Sequence, residues 1–151
     1  NATVTPAYSM PNQRPATGKK VFVFSPKYHA WGAYDADGHL INEGRASGGQ
    51  EYCADINRPC RTPSGHFRVT RKGGPDCKSS KYPVGKGGAP MPYCTFFHGG
   101  FAVHGSYDVP PNRNASHGCV RVTPDSAKWL SENFFNIHTR VIVEPYNYSY
   151  R

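Results

Sequence analysis

Residues 101–122 read FAVHGSYDVPPNRNASHGCVRV. The apolar run Phe101-Ala102-Val103 ends on His104 and reads as a strand. Cys119 follows Ser116-His117-Gly118 and opens a second short apolar run, Val120 to Val122. A cysteine becomes a nucleophilic thiolate near neutral pH only beside a base or a positive charge. A histidine ending one strand reaches a cysteine opening another when the two strands are neighbours. That base must itself be oriented through its second ring nitrogen. Asp108, the Ser106 hydroxyl and a backbone carbonyl near Gly105 are the candidates for that task. Gly118 permits a tight turn beside Cys119, and amides at such a turn form an oxyanion hole.

Three other readings fit the same residues. His117, Cys119, His104 and His98 are possible zinc ligands, although the HxC spacing matches no familiar finger or ribbon. Cys119 could be a structural half-cystine. The histidines could be hydrogen-bonded core groups.

Working outward, residues 19–26 (KKVFVFSP) read as a buried strand, and 29–34 as a second. Asp35-Ala36-Asp37-Gly38 is a turn that returns the chain as a third strand over 39–44. Residues 65–71 alternate as a strand, and 93–97 with 100–104 form a hairpin around His98-Gly99-Gly100. Thr123 is a good N-cap, Pro124 suits the first helical position and Asp125 complements the dipole. Ala127, Leu130 and Phe134 then carry a helix over about 123–136, and 140–144 closes as a last strand. The expected fold is mainly β, a sandwich or barrel with one packed helix. Residues 1–18, polar and Pro-containing, read as a tether, and 19–151 as the domain.

Length and composition agree with this reading. The 151 residues suffice for one domain. Sixteen Gly and 14 Pro indicate many loops, and 10 Tyr, 8 Phe and 2 Trp can supply a core. An acidic disordered chain, a coiled coil and a repeat solenoid are excluded. No apolar run approaches the roughly 20 residues of a membrane helix. No secretory h-region opens the sequence. The net charge is +8, and 58–86 holds eight Lys or Arg against Asp76 alone. A basic face favours anionic partners, among them nucleic acid, lipid surfaces and acidic wall polymers, but no nucleic-acid motif is present. Cysteines at 53, 60, 77, 94 and 119 suggest two disulfides plus one thiol in an oxidising compartment. A reducing cytosol with five thiols is the alternative.

Several segments together resemble one family. Ser116-His117-Gly118-Cys119-Val120-Arg121, with His104-Gly105 upstream, resembles the signature of the YkuD-type L,D-transpeptidase catalytic domain. That signature is a His, a spacer, Ser/Thr-His-Gly-Cys, an aliphatic residue, then Asn or Arg. Arg61-Thr62-Pro63-Ser64-Gly65-His66-Phe67 is similar to the family's Thr-Pro-x-Gly-x-Phe segment. Gly88-Ala89-Pro90-Met91-Pro92-Tyr93 resembles its Met-Pro-Tyr run, and the helix from Asp125 with Val141-Ile142-Val143 resembles its ending. The resemblance spans residues 19–145.

The resemblance implies a β-dominated transpeptidase fold and cysteine acyl transfer on peptidoglycan stem peptides, as donor and acceptor. Cys119 would be the nucleophile and His104 its base, with the Gly105 carbonyl as third member. Gly118 and Cys119 would supply the oxyanion amides. Arg121 would meet a stem-peptide carboxylate, Ser116 would add a hydrogen bond, and His117 would shape the site. Tyr93 and Met91 would line the substrate groove. The resemblance further implies carbapenem sensitivity, no cofactor or metal, and a periplasmic or secreted location; a monomer is expected. With Cys119 a thiol, Cys53–Cys60 and Cys77–Cys94 are the preferred bridges by proximity. The same acyl-enzyme could instead serve an L,D-carboxypeptidase or tether a protein to the wall. Other classes are a thiol hydrolase of another amide, or a surface domain that binds wall or host without turnover. If the source is bacterial, the sequons at Asn1, Asn114 and Asn147 are coincidences.

Overall fold

The strand Val21–Ser25 (β1) is buried throughout because its two faces serve two different cores. Phe22 and Phe24 point to one, Val21 and Val23 to the other. The computed structural model describes residues 9–80 and 88–150; residues 1–8 of the expected tether, and Lys81 and Lys86 of the basic stretch, lie outside the described residues. Ala30–Tyr34 (β2) and Leu40–Ser47 (β3) continue β1 as a meander through the Asp35 turn. In that turn the Asp35 carboxylate accepts the amides of Asp37 and His39, each at 2.9 Å. Gly38 there has φ +86°, and an added Cβ would lie 2.0 Å from the Arg14 carbonyl oxygen.

The remaining strands are Gly65–Arg68 (β4), Arg71–Lys72 (β5), Thr95–His98 (β6), Phe101–Gly105 (β7), Val120–Val122 (β8) and Arg140–Val143 (β9). They form one sheet in the order β4-β9-β1-β2-β3-β8-β7-β6-β5. Among these nine strands, β1–β9 and β7–β8 are the parallel pairs. The expected single strand over 65–71 is two strands, and the break closes the fold. The Val69 amide bonds to the Thr139 carbonyl beside β9, while the Thr70 amide bonds to the Phe96 carbonyl on β6. Consecutive residues thereby join opposite ends of the sheet and curl it into a half-barrel. The Phe67 and Phe97 rings meet across the junction at 5.4 Å.

A helix fills the curl. Pro124–Trp129 (α1) starts where Thr123 Oγ1 accepts the Ser126 amide. Its continuation, Leu130–Phe134, is a π-helical turn rather than the regular helix expected to about 136. The wider turn accommodates two consecutive buried rings, Phe134 and Phe135, as the Phe135 amide reaches back to the Leu130 carbonyl at 2.7 Å. Ala127, Leu130, Phe134 and Phe135 pack with Phe22, Trp31, Val103 and Val122 as the main core.

The outer face of the β1 region is covered too. Met10 is buried in a second cluster with Val21, Val23, Ala30, Tyr34 and Ile142. Arg14 and Gly18 bond through their amides to the carbonyls of Gly38 and Ala36. The segment 9–18, read from composition as part of a tether, therefore lies against the sheet. One apolar residue and a few backbone bonds suffice, and such a pattern has no periodicity to read. A third cluster, Met91, Cys94, Phe96 and Ala102, carries Cys77 and Cys119 at its edge.

Candidate active site

The parallel pairing of β7 and β8 sets the site. Val103 lies opposite Val120, His104 opposite Arg121 and Gly105 opposite Val122. Side chains alternate between faces along a strand. Val103, Val120 and Val122 point into the main core. Cys119, Arg121 and His104 therefore share the other face, with His104 one diagonal step from Cys119.

His104 is buried, and its Nδ1 lies 2.8 Å from the Gly105 carbonyl oxygen. A carbonyl only accepts, so Nδ1 carries the proton and Nε2 presents a lone pair. Burial is the main cause of a pKa pushed down to about 4; the Gly105 carbonyl opposes the shift and the Arg121 cation adds to it. The imidazole is accordingly neutral at physiological pH, as a general base requires. Gly105 is wedged in place: its amide donates to the Pro92 carbonyl, and a Cβ would meet Pro124, Pro92 and Ala127 within 3.3 Å.

Cys119 is half-buried, stands outside both disulfides, and has its Sγ 3.8 Å from the Gly100 carbonyl oxygen. The turn before it is built by Ser116, whose hydroxyl donates to the Cys119 carbonyl and accepts the Gly118 amide at 3.0 Å. Ser116 is only 3 % exposed, so its hydroxyl braces the turn from within rather than facing a groove. The same bond occupies the Gly118 amide, one of the two amides expected for the oxyanion. Gly118 itself has φ +139°, and a Cβ would lie 2.6 Å from the Phe101 ring. Thr62 locks the turn from behind: its Oγ1 donates to the Gly118 carbonyl at 2.6 Å and accepts the Gly49 amide.

The other expected residues are spread around this centre. Arg121 is mostly covered and reaches the Asp108 carboxylate at 3.4 Å. Met91 is 6 % exposed and belongs to the cluster flanking Cys119. Tyr93, at φ +55°, packs half-buried against the main core. The disulfides are Cys53–Cys60 and Cys77–Cys94. Asp55, which sequence reading did not single out, sits inside the Cys53–Cys60 loop and holds His117 Nε2 at 2.7 Å. That bond draws the Asp55 carboxyl below its usual range.

Among the described residues, the groups of three metal-ligating side chains are Cys53-Asp55-His117 and Asp35-Asp37-His39. Neither includes Cys119 or His104, and Cys53 Sγ is committed to a disulfide. A cleft of about 1030 Å³ runs behind the 116–119 turn, lined by Lys27, Gln50, Arg61, Thr62, Arg113 and Tyr146; neither Cys119 nor His104 lines it. Asn114 at its rim uses both side-chain ends, accepting from the Gly48 amide and donating to the Pro26 carbonyl.

The family model of the YkuD L,D-transpeptidase catalytic domain matches residues 18–143. The chain belongs to this family. A solved L,D-transpeptidase from Xylanimonas cellulosilytica is 31 % identical, with a TM-score of 0.74 over 89 % of this chain and 64 % of that one. The L,D-transpeptidase of Mycobacterium smegmatis, 22 % identical, shares the fold at a TM-score of 0.67 over 84 % and 59 % of the two chains. L,D-transpeptidase 3 of Mycobacterium tuberculosis, solved with a faropenem-derived adduct, is 21 % identical with a TM-score of 0.65 over 83 % and 60 %. The chain thus spans about three-fifths of the length of these structures. No curated protein matches it. The half-barrel fold is shared with these solved L,D-transpeptidases.

Proposed function

We propose that this domain is an extracytoplasmic cysteine acyltransferase that cuts and rejoins peptidoglycan stem peptides, forming 3→3 cross-links. The observation that carries the reading is the Nδ1–Gly105 contact, which leaves Nε2 of a neutral His104 as base on the strand beside Cys119.

In the first half-reaction, His104 Nε2 takes the Cys119 thiol proton. Sγ adds to the carbonyl carbon of the third stem residue. The Cys119 amide is the proposed oxyanion donor, since that of Gly118 is occupied by Ser116. The intermediate collapses with cleavage of the C–N bond; the departing D-Ala amine takes the proton from His104 and a thioester remains. In the second half, an acceptor amine gives its proton to His104 and attacks the thioester. The C–S bond breaks, and His104 returns that proton to Sγ, which restores the thiol and the neutral imidazole. Arg121 would exchange Asp108 for a substrate carboxylate, a task that suits its planar fork. His117, held by Asp55, would flank the thiol. Met91 and Tyr93 would shape the approach to Cys119. No cofactor enters these steps. Two disulfides support an oxidising compartment. The faropenem-derived adduct of one structural relative and the imipenem complex of another support penems and carbapenems as acylating inhibitors.

The test is mass spectrometry of muropeptides after incubation with purified disaccharide-tetrapeptide, beside a Cys119→Ala control. A dimer lacking one D-Ala, absent from the control, is the expected product. Tripeptide without dimer would make water the acceptor. No change, with folded protein and reduced Cys119, would refute the reading.

A further inference from the structure

The basic surface has no part in the acyl-transfer scheme, yet one section of it is organised. A groove of about 600 Å³ lies where β4 and β9 end the sheet. Val21 and Ile142 line its apolar part, and Arg14, Arg68 and Arg140 its polar part. Antiparallel register sets Arg68 directly opposite Arg140. Both side chains therefore leave the same face of the sheet, with Cβ atoms about 5 Å apart. Like charges in that position repel and destabilise the pair.

Among the described residues, no ion pair relieves this repulsion. No acidic residue lines the groove. All 10 Asp and Glu fall among the described residues, and none forms an ion pair with Arg14, Arg68 or Arg140. Arg14 is held in place by stacking on the Tyr34 ring at 5.6 Å and by its backbone bond to Gly38. A local rule broken without internal compensation is expected at a functional site.

We propose that this groove binds a phosphodiester-linked polyol chain, a class of anionic polymer. Guanidinium forks match phosphate oxygens geometrically and keep their charge at any working pH. One carboxylate would neutralise one of three cations, whereas successive phosphodiesters meet all three. The carbon skeleton between phosphates passes along Val21 and Ile142, on the face of the sheet that Arg68 and Arg140 share. The inference stands apart from the chemistry at Cys119 and needs no step of it.

The test is calorimetric titration of the intact protein with a glycerol-phosphate oligomer at low ionic strength. Inorganic phosphate, polyglutamate and phosphatidylglycerol vesicles are run in parallel. The Arg68→Gln/Arg140→Gln variant is expected to bind the oligomer at least about tenfold more weakly. A Lys128→Gln control, on α1, is expected to bind as the parent does. Removing the repulsion should leave the melting temperature of the double variant equal or higher, so lost binding is not lost folding. Muropeptide turnover by the same variant should stay at the parent's level, and failure of turnover in the parent would leave the binding result standing. Equal affinity in the double variant and parent would overturn the proposal. So would inorganic phosphate or polyglutamate binding as tightly as the oligomer. Binding to vesicles alone would also overturn it and make the groove a membrane contact.

Discussion

Acidification should destabilise this domain through His104, by an amount the burial of that ring dictates. In the unfolded chain the imidazole titrates near 6.5, and in the folded protein near 4. Between those values the unfolded state binds a proton that the folded state refuses. Stability is therefore fully present above about pH 7 and is lost as pH falls toward 4. The full shift corresponds to about 3 kcal/mol, of which about 2 kcal/mol is lost between pH 7.5 and pH 5. That is a large share of the roughly 5–15 kcal/mol that holds a domain folded. The comparison is with His104→Asn, whose amide nitrogen replaces Nδ1 and still donates to the Gly105 carbonyl but cannot titrate. Urea unfolding of both proteins at pH 7.5 and pH 5 gives the two differences in free energy. Carboxylates elsewhere contribute to both alike, so the wild type should lose about 2 kcal/mol more than the variant. Equal losses would refute the reasoning, because a ring with an ordinary pKa contributes nothing to the difference. The ring-proton shifts of His104, followed by NMR from pH 7.5 downward, give the same titration directly.

Arg121→Gln removes the cation beside His104, so the imidazole should titrate at higher pH and the acid-side loss of stability should shrink; the NMR titration reads the direction. Ser116→Ala strips the hydroxyl from the Gly118 amide and the Cys119 carbonyl, and should cost about 1–3 kcal/mol in urea unfolding together with most of the turnover. Gly118→Ala must place a Cβ against the Phe101 ring at positive φ, and turnover should fall about 100-fold; wild-type rates would show that the turn does not position Cys119. Cleaving Cys77–Cys94, which spans a sequence separation of 17, should lower stability by about 3 kcal/mol, measured as a drop in melting temperature of the Cys77→Ser/Cys94→Ser variant.

What the sequence made legible was whatever is encoded locally. The alternation in 21–24, the Asp35 turn and the Thr123-Pro124 helix start each specify a conformation within a few residues. The family of the domain was legible in the motif around Cys119 and in the Thr62-Pro63 and Met91-Pro92-Tyr93 segments. What remained hidden depends on pairing between distant parts. Asp55 meets His117 from 62 residues away, and no local pattern marks an aspartate in a loop as a histidine's partner. The break in 65–71 makes sense only once Val69 and Thr70 are seen bonding to opposite sheet ends. The π-helical turn arises because two adjacent phenylalanines must both be buried, a demand of the core and not of the helix. The family resemblance implies that Ser116 adds a hydrogen bond to substrate. Its burial shows that the hydroxyl is spent on shaping the turn.

The spacing between His104 and Cys119 follows from topology. Antiparallel neighbours can be joined by two residues, but parallel neighbours need a crossover of a dozen or more. β7 and β8 are parallel, so a chain leaving β7 at Gly105 must travel back along the sheet before it can enter β8. A crossover of that length is entropically costly to order unless it is pinned. β3 and the residues after it do the pinning. Arg45 Nε donates to the Val109 carbonyl, Ser47 Oγ to the Arg113 carbonyl, and the Gly48 amide to Asn114 Oδ1. The loop is thereby delivered to Ser116 in a fixed position, where the 116–119 turn begins. Parallel pairing also explains why base and thiol share a face. In-register parallel neighbours keep their side chains on one side of the sheet, so a diagonal offset brings His104 toward Cys119 without bending either strand. The long spacer, the bracing hydroxyl of Ser116 and the obligatory glycine at 118 are thus consequences of one requirement. In the proposed mechanism a base on one strand must face a thiol on its parallel neighbour.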